Sequence, residues 1–250
     1  VAGVVQEVAD MSRTALVFPV LPGKDARDIA SELKSRPREY EESRRRLGIT
    51  MERAYLQHTP MGDFVTSYIE AEGDPMETFA KLASSDLAID RYFMEAVKEI
   101  HGADVTQPMP GPAPETVAAW IDPAATGRGR GMALCAPLAP GATERAREFT
   151  DDAYHREEFT TSRRRLHVNE ELITLQSTPQ GDIVGIYIEG EDPERGNAGF
   201  AASQEPFDLW FKEELTKIFP PAVDFSKPIE GIEELFDSTK VADLGLSKAA

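Results

Sequence analysis

The sequence predicts an α+β protein written twice, two β-α-β-β-α-β units in tandem whose sheets face each other within one chain. Three observations carry that prediction. A block of the chain recurs 119 residues downstream, each copy holds a hairpin with one apolar face, and amphipathic helical stretches flank each hairpin. The recurrence is the strongest of the three. Ser43-Arg44-Arg45-Arg46-Leu47 returns as Ser162-Arg163-Arg164-Arg165-Leu166, Gln57 to Asp63 as Gln176 to Asp182, and Tyr68-Ile69-Glu70 as Tyr187-Ile188-Glu189. Of the 28 positions from 43 to 70, 16 are identical in 162 to 189 without a gap. The match continues at an offset of 118 through Asp90 to Phe93 and Asp208 to Phe211. Solenoid repeats are ~20–50 residues long, so a period of this size marks a domain-sized unit. The units span residues 12–123 and 131–238, joined by a Gly/Arg linker at 124–130 with nothing to bury. Residues 1–11 and 240–250 are expected to be loose ends.

The elements follow in order. Ala15 to Leu21 is a short apolar run that reads as a buried strand ended by Pro22-Gly23; Met132 to Leu138, before Pro140-Gly141, is its partner. Ile29, Leu33 and Tyr40 mark one apolar helical face, split into two helices at Pro37, and Phe149 and Ala153 begin the same face in the second copy. The triple arginines fall in the last turn, where cations favour the helix dipole, and Gly48 follows as a natural stop. A hairpin comes next, with Thr59-Pro60-Met61-Gly62 as its turn; closing it pairs Gln57 with Phe64, Tyr55 with Thr66 and Arg53 with Tyr68. A second helical stretch runs from Pro75 to Ile100 with a kink at Ser84 to Asp86, matched by one at Ser203 to Pro206. After a proline-rich connection, Val117 to Ile121 reads as the last strand, and Ile232 to Asp237 stands at the same place in the second copy.

Strand alternation divides each hairpin into two faces. Leu56, Val65 and Ile69 share one, as do Ile173, Leu175, Val184, Ile186 and Ile188, and this apolar surface calls for a helix layer. The other face collects Arg53, Tyr55, Gln57, Phe64, Thr66, Tyr68 and Glu70, and in the second copy Thr174, Gln176, Ile183, Gly185, Tyr187 and Glu189. Turning it toward the other copy removes Phe64, Ile183 and the tyrosines from water, at about 25 cal/mol per Å² of apolar area. The element order is the ferredoxin-like one. Duplicated in one chain, it resembles the dimeric α+β barrel superfamily, in which two such sheets close a barrel with helices outside. That superfamily includes antibiotic-biosynthesis monooxygenases, muconolactone isomerase-like proteins, polyketide cyclases, stress-responsive barrel proteins and haem enzymes such as chlorite dismutase. The repeated Ser-Arg-Arg-Arg-Leu, Leu-Gln-x-Thr-Pro-x-Gly-Asp and Tyr-Ile-Glu strings also resemble a bacterial family of the same fold. The resemblance covers nearly the whole chain. It implies an intrachain barrel and a small-molecule function, and no motif matches a characterised member closely enough to carry over a residue's role.

Tyr68 and Glu70 with Gln57, and Tyr187 and Glu189 with Gln176, are expected to point into the barrel or its mouth, where polar groups among aromatics form the usual small-molecule site. In the catalytic reading Glu70 is a general base whose pKa burial raises, Tyr68 donates to an oxyanion, and His58 at the hairpin end shuttles protons. Arg53, Tyr55, Gln57, Gln176, Tyr187 and Glu189 then hold the substrate, Arg53 binding an anionic group or pairing with Glu70. In the structural reading the same residues fasten the two sheets by hydrogen bonds across a pseudo-twofold, and their presence in both copies favours it. Arg53, Tyr55 and His58 lack equivalents, facing Leu172, Thr174 and Ser177, which points to one functional half. Tyr154 and His155 are adjacent on a helix and face different ways.

Four scattered histidines and one cysteine, Cys135, lack metal-ligand spacing, so no metal and no cofactor are expected. Haem would need His101 or His155 as axial ligand, with His167 a poorer offer, and remains a lesser alternative. The arginine triplets read as helix-end charge, Thr-Pro-x-Gly-Asp as turn chemistry, and Asp90 and Asp208 as anchors at the helix kinks. Nucleotide loops, a serine-hydrolase elbow and zinc-protease motifs are all missing.

Composition narrows the partners. With 44 acidic and 27 basic side chains the formal charge is −17, which argues against nucleic acid and anionic lipid. No apolar run approaches the ~20 residues needed to span a bilayer, and Val1 to Asp10, with Glu7 and Asp10 and no basic start, is not expected to be a signal peptide. The sequence therefore reads as a cytoplasmic monomer or homodimer with a small-molecule ligand. Two functions compete: a cofactor-independent enzyme that oxygenates, cyclises or isomerises an aromatic or polyketide-like molecule, and a non-catalytic ligand carrier or stress-related regulatory barrel.

Overall fold

A computed structural model describes residues 11–73, 75–107 and 111–241. The ends expected to be loose lie largely outside these, as do Asp74 and residues 108–110 of the proline-rich connection. Met11 already belongs to the first strand, and Lys240 to a 3-10 turn at Ser238–Lys240.

The first repeat forms β1 (Met11–Pro19), α1 (Arg27–Ser35), α2 (Pro37–Leu47), β2 (Ile49–Thr59), β3 (Gly62–Glu72), α3 (Pro75–Ala83), α4 (Ala88–His101) and β4 (Glu115–Ile121). The second forms β5 (Arg130–Pro137), α5 (Thr143–Tyr154), α6 (Glu157–Arg165), β6 (Val168–Thr178), β7 (Gly181–Gly190), α7 (Pro193–Ala202), α8 (Pro206–Leu215) and β8 (Ile232–Asp237). The helical stretches break where the sequence breaks them. Pro37 and Pro206 each open a second helix, where a missing N–H costs nothing. Gly48 ends α2 in the left-handed conformation at φ 74°; the equivalent residue after α6, His167, takes φ 56° despite its side chain.

Both sheets are antiparallel and four-stranded, in the orders β1-β3-β2-β8 and β4-β6-β7-β5. The hairpin register is the expected one, with Gln57 opposite Phe64, Tyr55 opposite Thr66 and Arg53 opposite Tyr68. Each repeat sends its fourth strand into the other's sheet. β8 pairs with β2 through Tyr55 and Glu234, and β4 pairs with β6 through Trp120 and Glu171. The fold is thus an α+β arrangement of two β-α-β-β-α-β repeats, sheet facing sheet, with a helix layer outside each.

Two apolar cores lie between sheet and helices, as the outward hairpin faces demand. Leu56 and Val65 meet Ile29, Leu33, Tyr40, Ile89 and Val97 in one. Leu175 and Val184 meet Phe149, Phe159, Phe211 and Ile218 in the other. Between the sheets lies a third cluster, centred on Tyr68 and Tyr187, whose rings stack at 3.6 Å and 8°. Among the described residues no helix is long and apolar enough to cross a membrane.

Candidate functional site

The sequence-predicted residues gather between the sheets, with one exception. Tyr68, Glu70, Arg53, Tyr55, Gln57, Tyr187 and Glu189 are buried there. His58 is exposed at the end of β2, with Nδ1 2.8 Å from the Asp63 carboxylate, and joins nothing in the interior. The two glutamines act as fasteners. Gln176 accepts from Val17 N at 3.0 Å and donates to Val17 O at 2.9 Å, and Gln57 accepts from Cys135 N at 2.7 Å. Thr174 accepts from Ala15 N at 3.1 Å. β1 and β5 are edge strands, so these side chains satisfy backbone groups that a sheet edge otherwise leaves open.

One end of the interior carries a network of charges. Tyr68 donates to Glu70 and lies equally close to Glu170, 2.6 Å from each, and Tyr187 donates to Glu189 at 2.8 Å. Arg53 does not pair with Glu70. Its guanidinium crosses to Tyr187 Oη at 2.5 Å and Glu189 at 2.9 Å, and Asp237 stands 3.1 Å from its Nε. The reason is a local vacancy in the repeat: Gly131 occupies the place of Arg13, both standing opposite the Tyr-x-Glu glutamate. A methyl group on Gly131 would overlap the Tyr55 hydroxyl and stand 2.8 Å from Arg53 Nη1. Glu70 is met instead by Arg128 of the linker, with Arg13 at 3.4 Å. The linker therefore has something to bury. Its Gly129 N donates to Glu189 at 2.8 Å, and its carbonyl accepts from Arg53 at 2.9 Å.

This network reverses the expected pKa of Glu70. Burial pushes the carboxyl up, but hydrogen bonds from Arg128 and Tyr68 and the charges of Arg128 and Arg13 outweigh it, holding the group below its ordinary value. A carboxylate so stabilised is a weaker base. Its neighbour Glu170, which replaces Met51 of the first repeat, moves the other way: burial first, then the negative charges of Glu70 and Glu189, raise its pKa. Burial also drives the Tyr68 and Tyr187 phenols far above their usual range. Cys135 is buried, its thiol pushed up to about 12.

Two cavities lie elsewhere, one behind each sheet. One of about 100 Å³ opens between the second sheet and its helices, among Phe149, Phe200, Phe211, Phe219 and Phe225. Another of about 90 Å³ occupies the same place in the first repeat, among Ile29, Leu33, Val97, Phe79 and Phe93. The residues singled out on the inward face line neither cavity.

Each cavity has one charged group in its wall, and this group explains the arginine triplets. Only the first arginine of each triplet faces the sheet, because successive helix positions turn by about 100°. Arg44 and Arg163 are buried, their charges met by Glu52 and Glu171 from the sheet. Arg44 Nε donates to Glu52 at 2.8 Å, and Arg163 binds Glu171 through Nε at 2.5 Å and Nη2 at 2.9 Å. A tyrosine completes each group. Tyr40 donates to Glu52 at 3.0 Å from α2, whereas Tyr154 donates to Glu171 at 2.7 Å from α5. The two tyrosines occupy non-equivalent positions in the repeat and deliver a hydroxyl to the same carboxylate. Burial raises both phenols well above the ordinary value. The preceding serines tie the groups down: Ser43 donates to Asp90 and Ser162 to Asp208, each at 2.5 Å, anchoring the kinked helices as their position suggested. Glu52 and Glu171 escaped the sequence reading. Their signal was a charge, identical in both copies, on the hairpin face that carries Leu56, Val65 and Ile69 in the first repeat and Ile173, Leu175, Val184, Ile186 and Ile188 in the second.

The histidines separate clearly. His101, at the end of α4, lines the first cavity, its Nδ1 2.9 Å from Pro19 O, and burial lowers its pKa. His155 and His167 are exposed, beside Asp151 and Glu191. Among the described residues no three His, Cys, Asp or Glu side chains are grouped to hold a metal ion.

No protein-family model matches the chain, and no curated protein matches it in sequence. Solved structures do resemble it in the course of the backbone. An anthrone oxidase-like protein matches over 90% of this chain and 89% of its own, at 9% identity and a TM-score of 0.48. A candidate monooxygenase from Fusobacterium nucleatum subsp. nucleatum matches over 91% of this chain and 92% of its own, at 10% identity and a TM-score of 0.48. Neither likeness bears on chemistry.

Proposed function

We propose that this protein holds small, ring-bearing apolar molecules in the two spaces between sheet and helices. The chemistry anticipated from the sequence belongs there: cofactor-free oxygenation, cyclisation or isomerisation of an aromatic or polyketide-like molecule. One observation carries the proposal. Equivalent cavities stand in both repeats, and each apolar wall is interrupted by a buried Glu–Arg pair, Glu52–Arg44 in the first and Glu171–Arg163 in the second, where Tyr154 lines the cavity beside it. Stability alone does not call for such a group, since replacing a buried ion pair with apolar side chains is often neutral or stabilising. In this reading Tyr68, Glu70, Arg53, Tyr55, Gln57, Gln176, Tyr187 and Glu189 fasten the sheets, and His58 takes no part.

An apolar cavity of about 150 Å³ takes up benzene; these cavities, of about 100 and 90 Å³, must widen somewhat to hold a single ring, and toluene tests whether they do. Titration with toluene is expected to raise the melting temperature and shift the methyl resonances of Ile29 and Ile218, which line the two cavities. A protein indifferent to toluene would overturn the proposal. A carrier role is favoured by one feature: Glu171 uses both oxygens on Arg163 and Tyr154, leaving no free base in that group. Oxygen uptake with 1-naphthol separates the two, because this electron-rich ring can itself supply the two electrons and two protons that cofactor-free oxygenation to the quinone and water requires. Binding of 1-naphthol with no oxygen consumed and the compound recovered unchanged favours a carrier.

A further inference from the structure

We infer that the two cavities take different ligands: a bare hydrocarbon ring in the second repeat, and a ring that carries a hydroxyl group in the first. This rests on the cavity-binding reading above and goes beyond it. Three positions line both cavities and change character between them. Ser67, Thr78 and His101 of the first repeat stand where the second has Ile186, Gly196 and Phe219. Ser67 lies opposite Leu16 and Ala54 on the sheet floor, so its hydroxyl leaves on the helix side among apolar neighbours. Thr14, equivalent to Met132, adds a second hydroxyl to that floor.

His101 sets the polarity of the site. Only a protonated Nδ1 can make the 2.9 Å bond to the Pro19 carbonyl, which leaves Nε2 of the neutral ring as an acceptor. Burial favours that neutral form. An acceptor nitrogen with serine and threonine hydroxyls suits an O–H donor. A pure hydrocarbon there leaves buried polar groups unpaired, and sites built to hydrogen-bond a hydroxyl discriminate strongly against analogues lacking it. One exchange runs the other way, Phe79 against Asn197, and it changes nothing. The Asn197 amide is already engaged by the chain, donating to Ile229 O at 2.9 Å and accepting from Ile229 N at 3.4 Å. Thr150 also lines the second cavity, but its hydroxyl is spent on Ala146 O at 2.7 Å, so beyond the Tyr154–Glu171–Arg163 group its polar side chains are already engaged by the chain and the rest of the wall is rings and aliphatic chains.

Toluene and phenol have nearly the same shape and differ by the hydroxyl. In protein carrying ¹³C-labelled isoleucine methyls, Ile29, Ile49 and Ile69 report the first cavity and Ile173, Ile188 and Ile218 the second. Phenol is expected to move the first set at about tenfold lower concentration than the second, and toluene the reverse; a tenfold ratio is about 1.4 kcal/mol. His101→Phe, which copies the residue of the second repeat, and Ser67→Ala should each weaken phenol at the first cavity several-fold, while toluene at the second cavity stays within about twofold of the parent. If His101→Phe disturbs the toluene response, Ser67→Ala alone decides. Two compounds that fill both cavities without preference overturn this inference and leave the cavity-binding reading standing. Indifference of both sets to both compounds overturns the two together.

Discussion

Between the sheets the charges around the shared tyrosines differ from one repeat to the other; behind the sheets the buried Ser–Arg–Glu groups are the same, although the cavity linings around them differ. At the centre Arg53, Glu170 and Arg13 come from one copy each, opposite Leu172, Met51 and Gly131. Behind the sheets the serine, arginine and glutamate of each wall are the same, and a tyrosine reaches each glutamate even though it comes from a different helix. In a symmetric homodimer every residue occurs on both sides of the axis, so a residue cannot be Arg on one side and Gly on the other. Fusion into one chain lifts that constraint, and the interior uses the freedom: Arg53 reaches Glu189 because Gly131 steps aside. The equal Ser–Arg–Glu groups serve each half by itself, and the divergent Arg53 and Gly131 serve a contact between the halves.

The sharpest way to break this comparison is at the walls. Arg44→Ala and Arg163→Ala should each leave a buried carboxylate uncompensated and cost about 3–5 kcal/mol in urea unfolding, with similar losses in the two halves. Replacing Arg163 and Glu171 together by methionine should recover most of that loss. A much smaller loss in one half would show that the two walls are not equivalent. At the centre, Gly131→Ala should cost about 1–3 kcal/mol by overpacking against Tyr55 and Arg53. Arg13→Ala, at the equivalent position and partly exposed, should cost less.

Two carboxylates at the centre should respond to pH with opposite signs. Glu70 is held below its ordinary pKa, so its contribution is present above the unfolded value, about 4.3, and fades as pH falls through the folded value. Glu170 is held above it, so its contribution is present in acid and is lost as pH rises through the folded value. Glu70→Gln should therefore destabilise at pH 7 and matter less in acid, whereas Glu170→Gln should stabilise at pH 7 and lose that advantage in acid. Denaturation midpoints at pH 3 and pH 7 read both; equal signs for the two variants would remove the distinction. The smallest effect is expected at the end of α6, where His167→Gly should gain up to about 1 kcal/mol by relieving a left-handed backbone that Gly48 meets freely.

Much of the fold was legible because repetition and alternation are local signals. The hairpin register, the breaks at Pro37 and Pro206 and the inward set around Tyr68 and Tyr187 follow from spacing within a few residues. The strand exchange is not local, since no spacing says whether Ile232–Asp237 returns to its own sheet or crosses to β2. Charge was misread for the same reason. Glu70 faces inward as its parity requires, but Arg128, which decides its pKa, comes from a linker 58 residues away. The arginine triplets have the composition of a solvated helix end, and only their phase against Glu52 and Glu171 shows that one of the three is buried. That glutamate pair was visible as a repeated charge on an apolar face.

The crossing of β8 into the first sheet sets an order of events during synthesis. β2 emerges early and its partner lies almost two hundred residues later, since Arg53 faces Asp237. Until β8 leaves the ribosome the β8-facing edge of β2 has no native neighbour, and such an edge invites pairing with another chain. The first repeat can gather its helices and hairpin while it waits, but cannot finish. The second sheet has all its strands once β7 is made, whereas the first waits for β8 and closes by a slow, long-range pairing.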